Sequence, residues 1–237
     1  MFAPEREFVS EHSIDPDLWR IVDLRGSMGN EDPNHFLDID ALGEPVPYAR
    51  VPRDYVAFRA RYGAARVAQV GRLPWRVEEI YRRLVTAFRQ SRRSRSLALR
   101  GDAPYLTAVL AHYLEDGFVP FHAVENYDGQ LTGQRGIHSR FETDLVRRYS
   151  PRLRLTPVKI HPVPDVKELV FAALVDSAGL VPHVLDDDRR AAGGRTDYSD
   201  RYFDALFERT RPVLEARLAA AADAVASVVV AAWEEGR

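Results

Sequence analysis

The sequence predicts an all-α fold in one domain covering residues 1–237. Three observations carry that expectation. Apolar residues recur at helical spacing along most of the chain. The composition, 46% apolar and 29% charged, is that of a soluble domain with a packed core. Only Leu153 to Ile160 alternates as a strand does, and prolines flank it on both sides. A chain of 237 residues suits one sizeable domain, and no internal repeat or linker divides it.

Tyr55 to Gly71 reads as the first clear helix. The second opens at Leu73-Pro74, a favoured place for proline. Its Val77, Ile80, Tyr81, Leu84, Val85 and Phe88 mark one apolar face, with Arg and Glu between them. Tyr105 to about Phe118 forms the third helix and Ile137 to Tyr149 the fourth. Pro164-Asp165 opens a fifth toward Leu185, with an interruption expected at Gly179 and Pro182. Ser199-Asp200 caps a sixth, and Pro212 either kinks it or begins a seventh reaching Glu234. Leu218 to Trp233 is the most apolar stretch; too short to span a bilayer and broken by Asp223, it reads as a core helix, and no integral membrane segment is expected. Residues 26–50 and 123–136 are long loops rich in Gly and Pro, and long loops in compact domains often carry function.

Composition narrows the chemistry. Lys and Arg number 33 against 35 Asp and Glu, so a net charge of −2 gives no general drive toward nucleic acid or an anionic membrane. The absence of cysteine excludes disulfides, thiolate catalysis and thiolate metal sites, which leaves His, Asp and Glu for any metal.

Such residues crowd one stretch: His112, Asp116, His122, His138 and Glu142. His112 and Asp116 stand four apart on a predicted helix, so they emerge on one face with Cβ atoms roughly 5–6 Å apart. His138 and Glu142 repeat that spacing on the next helix. One helix turn thereby presents two ligands to a divalent ion without bending the backbone. His122 follows Pro120, where the chain turns between the two helices. Either pair alone reads best as a surface pair contributing a few tenths of a kcal/mol. Two pairs flanking a His in a Pro turn, followed by a Gly-rich loop, favour metal.

These residues carry a resemblance. His112-Tyr113-Leu114-Glu115-Asp116, then Pro120-Phe121-His122-Ala123, then Gly136-Ile137-His138-Ser139-Arg140-Phe141-Glu142 resembles the signature of the zinc-dependent phospholipases C. The single-strand-specific zinc nucleases share its first half but usually end it with Asp, so Glu142 tilts toward the phospholipase branch. His35-Phe36-Leu37-Asp38 resembles the element that supplies an earlier histidine ligand in the same superfamily. Asp17-Leu18-Trp19-Arg20 fits its D-x-x-R form, with Asp23 in reserve for the early Asp. The resemblance covers about residues 12–145.

The resemblance implies one zinc held by Asp17, His35, His112 and Asp116, and a second by His122, His138 and Glu142. It further implies phosphodiester hydrolysis by a metal-held hydroxide attacking phosphorus, with Asp17 as general base. The substrate is expected to be a phospholipid or small phosphodiester rather than nucleic acid. The alternatives are a nuclease of the same superfamily or a catalytically weak metal-binding protein. Glu115 and Val119 depart from the family pattern, where Gly and Gln are usual. The family's third zinc uses a mature N-terminal Trp, a nearby His and the Asp that is Asp116 here. No Trp-x-x-x-His segment precedes His12, and Met1 to Ser10 lacks the apolar region of a secretory signal. The expectation is therefore an upstream segment with a signal peptide, Trp and His, a third zinc, and an exported protein; the alternative is a two-metal branch in the cytoplasm.

Other clusters receive plainer readings. Arg82, Arg83, Arg89, Arg92, Arg93, Arg95 and Arg100 read as a solvated face rather than a nucleic-acid site. Asp186, Asp187 and Asp188 read as a solvated loop, because EF-hand spacing is absent. His161 and His183 lack helix-spaced acids and are not assigned to metal. Tyr127, between the two ligand-bearing helices, is a weaker candidate for facing substrate.

Overall fold

The computed structural model describes residues 5–21, 30–93, 97–195 and 197–237. The fold is all-α, as expected; among the described residues the only β-type pairing is an isolated bridge between Leu37 and Gly71. Four long helices form its body: α5 (Leu73–Arg93), α6 (Leu97–Asp116), α8 (Val166–Ala192) and α9 (Asp200–Glu235). α5 packs on α6, α8 on both α5 and α9, and α9 on α6. The short α1 (Arg6–His12) and α2 (Asp15–Ile21) lie against α6. α3 (Tyr55–Tyr62) and α4 (Ala64–Val70) precede α5. α7 consists of Ile137–Ser139 and Leu145–Tyr149 joined through a π turn, Arg140–Asp144.

The apolar spacing of α5 is realised as burial: Val77, Ile80, Leu84, Val85 and Phe88 all sit in the core. Asp54 and Asp165 accept backbone N–H bonds in the first turns of α3 and α8, which satisfies donors that a helix start leaves open. α7 is anchored by Ile137, Phe141 and Leu145, which pack with Val181, Val184 and Phe207 of α8 and α9.

Several boundaries differ from the sequence expectation. Tyr55 to Gly71 is two helices because Gly63, at φ +79°, breaks it. α6 starts at Leu97, with Pro104 inside, and ends at Asp116. Neither Gly179 with Pro182 nor Pro212 interrupts its helix: α8 runs on to Ala192 and α9 is continuous. In both, long buried faces outweigh the one backbone bond a proline removes. Leu153 to Ile160 forms no strand. It lies extended along α9, with the amides of Arg154, Lys159 and His161 donating to Glu215, Asp223 and Ser227. Asp186 to Asp188 belong to α8 rather than to a loop, and Asp188 is buried. By length and composition alone α8 is the described helix apolar enough to cross a membrane, but Val170, Phe171, Leu174, Val181 and Val184 are core residues. Asp23, Gly26, Gly29 and Arg95 lie outside the described residues.

Candidate metal centre

The histidine-bearing segments are stitched together by backbone bonds. Leu37 N–H donates to the His122 carbonyl at 3.0 Å and Ile39 N–H to that of Ala123 at 3.1 Å. On the other side Asp38 N–H reaches Val70 O at 2.7 Å, and Leu73 N–H reaches Phe36 O at 3.2 Å. Gly71, at φ +89°, makes this approach possible: a Cβ there would lie 2.0 Å from the Phe36 oxygen. His35 is thus fixed between the α4–α5 junction and the turn carrying His122.

Two donor clusters result. Ligand atoms of Asp17, His35 and His112 lie within 4.8 Å of one another, and so do those of His122, His138 and Glu142. In the first, His35 Nδ1 is 3.1 Å from His112 Nε2, and each is 3.9 Å from Asp17 Oδ1. Asp116 stands between the clusters. Its Oδ2 is 3.0 Å from His35 Nδ1 and 3.5 Å from His112 Nε2, while its Oδ1 is 3.3 Å from His122 Nδ1. In the second, His138 Nε2 and His122 Nε2 are 2.7 and 3.7 Å from Glu142 Oε2. Six of the seven candidate ligands line one cleft together with Ser13, Ile14, Arg20, Glu115 and Val119, and the seventh, His35, is buried beside them at 3.0 Å from Asp116.

The donor chemistry fits a divalent cation. A carbonyl only accepts, so the 2.6 Å bond between His122 Nδ1 and His35 O fixes the proton on Nδ1 and turns Nε2 toward Glu142 and His138. Without an ion, a proton fills the cationic role. Burial opposes a charged His122, but Asp116 and Glu142 outweigh it and push the imidazole up to about 9. Burial would raise Glu142, yet hydrogen bonds from His122 and His138 hold it well below the usual carboxylate range. His35 differs: its Nε2 is buried with no partner. Behind it the Tyr113 ring packs against His35 and His112 at 5.2 and 5.5 Å, and its hydroxyl donates to Glu31.

Sequence reasoning did not single out Arg20 or Asp38 as site residues. Arg20 contacts Asp17 at 3.2 Å and Asp32 at 3.0 Å and lines both the metal cleft and a neighbouring cavity of 420 Å³. Phe36, Asp38, Phe121 and half-exposed Tyr127 also line that cavity, beside His122 and His138. Burial first, and Asp40 and Glu125 second, push the Asp38 carboxyl up to about 7. Both residues adjoin motifs read from sequence, Asp17 and His35, which was the available signal. His161 and His183 join neither cluster. Beneath α7, Arg140 is buried with Asp188 and donates to the Tyr202 hydroxyl at 2.8 Å and to the Arg135 carbonyl at 2.8 Å. It thereby ties the loop before α7 to the helix that presents His138 and Glu142. The chain matches no protein-family model, and no curated protein matches its sequence.

Proposed function

We infer that this protein is a zinc-dependent phosphoric diester hydrolase of the phospholipase C kind, with one ion at Asp17, His35, His112 and Asp116 and another at His122, His138 and Glu142. The observation that carries this reading is the convergence of two His and carboxylate clusters on one cleft, with Asp116 facing both. Nitrogen and carboxylate donors without thiolates are a normal set for zinc. Bound zinc would supply Lewis acidity, lowering the pKa of water to about 7 and neutralising phosphoryl charge.

The chain's own residues supply the rest. Asp17 is half-exposed at the cleft edge and held by Arg20, a position from which it orients water and takes its proton. The Arg20 guanidinium faces the same space and can pair with a non-bridging phosphoryl oxygen. The adjoining cavity, with Phe36, Phe121 and Tyr127, has room for the organic part of a diester. Glu142 in place of Asp and the near-neutral charge favour a phospholipid or small phosphodiester over single-stranded nucleic acid. Hydrolysis of a chromogenic phosphodiester by the zinc-loaded protein, abolished by a chelator and restored by zinc, is the expected result; no turnover with both clusters loaded would defeat the reading. A choline or glycerol phosphodiester should be cleaved faster than single-stranded DNA, and the reverse order in a competition assay would assign the nuclease alternative.

A further inference from the structure

A second cavity, of 450 Å³, opens beside the N-terminal half of α5; three arginines, Arg72, Arg76 and Arg82, and two glutamates, Glu78 and Glu79, line it with Asn34, Tyr55 and Trp75. None of the seven clustered donors lines it. Its charges do not cancel. Glu78 is shared by Arg82 and Lys167, each at 2.8 Å, and Glu79 by Arg76 at 3.0 Å and Arg83 at 2.5 Å. Arg76 also lies 3.6 Å from Glu31, while Arg72 Nε meets only a neutral acceptor in this set, Asn34 Oδ1 at 2.6 Å. Three guanidinium groups thus line the cavity against two carboxylates, each of which also pairs with a cation outside the lining, Lys167 or Arg83. Arg82, Arg83 and Arg76 each pair with an acid one turn away, but both acids are shared with a second cation. The least exposed guanidinium of these pairs, Arg76 at 17%, keeps an Nε donor buried with no acceptor. That Nε is sealed from the cavity, and the Nη groups of Arg76 already meet Glu79 and the Tyr113 hydroxyl, so the donors the cavity offers are mainly those of Arg72, whose Nε meets a neutral acceptor, and of the exposed Arg82.

We propose that this cavity is a binding site for a dianionic phosphate group, such as a phosphate monoester, held by Arg72, Arg76 and Arg82. Planar guanidinium forks match phosphate oxygens two at a time, which point-charge ammonium groups do not. The volume exceeds that of the phosphate alone, and Tyr55 and Trp75 wall the remainder. None of its lining residues is a candidate metal ligand, although Arg76 donates to the hydroxyl of Tyr113 at 3.3 Å, the ring behind His35 and His112; the proposal does not depend on the reaction inferred for the metal centre.

The test is calorimetric titration of the zinc-loaded full chain with inorganic phosphate. Wild type is expected to show two classes of binding, one at the metal centre and one at the cavity. R72A/R82A should lose the cavity class alone, and H138A should lose or weaken the metal class alone. Arg82 is 69% exposed, so R82E should fold normally and weaken the cavity class by about tenfold or more. Isotherms of R82E and R72A/R82A identical to wild type would overturn the proposal. Binding lost only in H138A would likewise defeat the cavity site while leaving the metal reading intact; binding lost only in the arginine variants would do the opposite.

Discussion

The two donor clusters are built in different ways. The second lies within residues 122–142, on one turn and the helix that follows, and α7 is locked from below by Arg140 and Asp188. The first draws on α2, the turn at His35 and the end of α6, from residue 17 to residue 116, and relies on backbone bonds between distant segments. One cluster is therefore assembled mainly by local helix geometry and the other by tertiary closure. Asp17 is its most exposed member, on a seven-residue helix. Damage to long-range packing should reach the first cluster more than the second, in which only His122 relies on distant partners, the His35 carbonyl and the turn's bonds to Leu37 and Ile39.

The largest expected separation comes from His138→Ala. It removes a ligand from the local cluster, so zinc content should fall by one ion per chain and phosphodiesterase activity by more than a hundredfold, since even loss of a residue behind a metal ligand costs up to about that much. Elemental analysis of the variant checks it, and unchanged zinc content would show the pair misassigned. Asp17→Asn acts on the other cluster. His35, His112 and Asp116 remain, so zinc should be largely retained while kcat falls by about a hundredfold, the usual contribution of a general base. A variant with normal kcat would remove Asp17 from that role.

Gly71→Ala probes tertiary closure directly. The new Cβ would meet the Phe36 carbonyl at 2.0 Å in a left-handed backbone conformation, so neither the side chain nor the strand-like segment can yield easily. A loss of about 3 kcal/mol is expected, seen as a Tm lowered by roughly 6–12 °C, with zinc lost from the first cluster at lower chelator concentration than from the second. Gly136→Ala is the matched change below the second cluster, where a Cβ would sit 2.8 Å from the flexible end of Arg140. That side chain can shift, so a loss of about 1–2 kcal/mol is expected, mostly from the positive φ. Thermal melts that reverse this order would contradict the assignment of Gly71 as the tighter constraint.

Much of this was legible in the sequence, and the boundary of legibility follows the same local and distant division. The i, i+4 spacing of His112 with Asp116 and of His138 with Glu142 gives two shared helix faces, and the structure brings those atoms to 3.5 and 2.7 Å. Asp17 and His35 carry no such spacing; only their likeness to a family motif places them. Nothing in the local pattern reveals that Leu37 and Ile39 bond to the turn at His122, because that pairing joins segments more than eighty residues apart. α1 and α2 escaped notice because α1 buries no residue and both are too short to show a period. Asp188 was misread as solvated since its partners, Arg140 and Tyr202, come from other helices.

A smaller and more graded expectation concerns pH. In the metal-free protein Glu142 has a lowered folded pKa, so its contribution is present above the unfolded carboxylate range and fades as pH falls. His122 has a raised one, so its contribution is full below 6.5 and is lost as pH rises toward about 9. Asp38 works against folding as it ionises, from 3.8 up to about 7. Melts of the metal-free chain should therefore decline from mildly acid pH to pH 9, and Asp38→Asn should flatten the part of that decline below about 7. A flat profile in wild type would contradict the charges assigned to the second cluster. Zinc should reverse the trend, because its binding requires neutral imidazoles and releases protons.

The most direct test of the central claim is elemental analysis of the purified chain after zinc reconstitution and removal of loosely held metal. Two zinc ions per chain, one for each donor cluster, is the expected result. A chain that retains no zinc, with its fold intact by circular dichroism, would contradict the metal centre and the hydrolase built upon it.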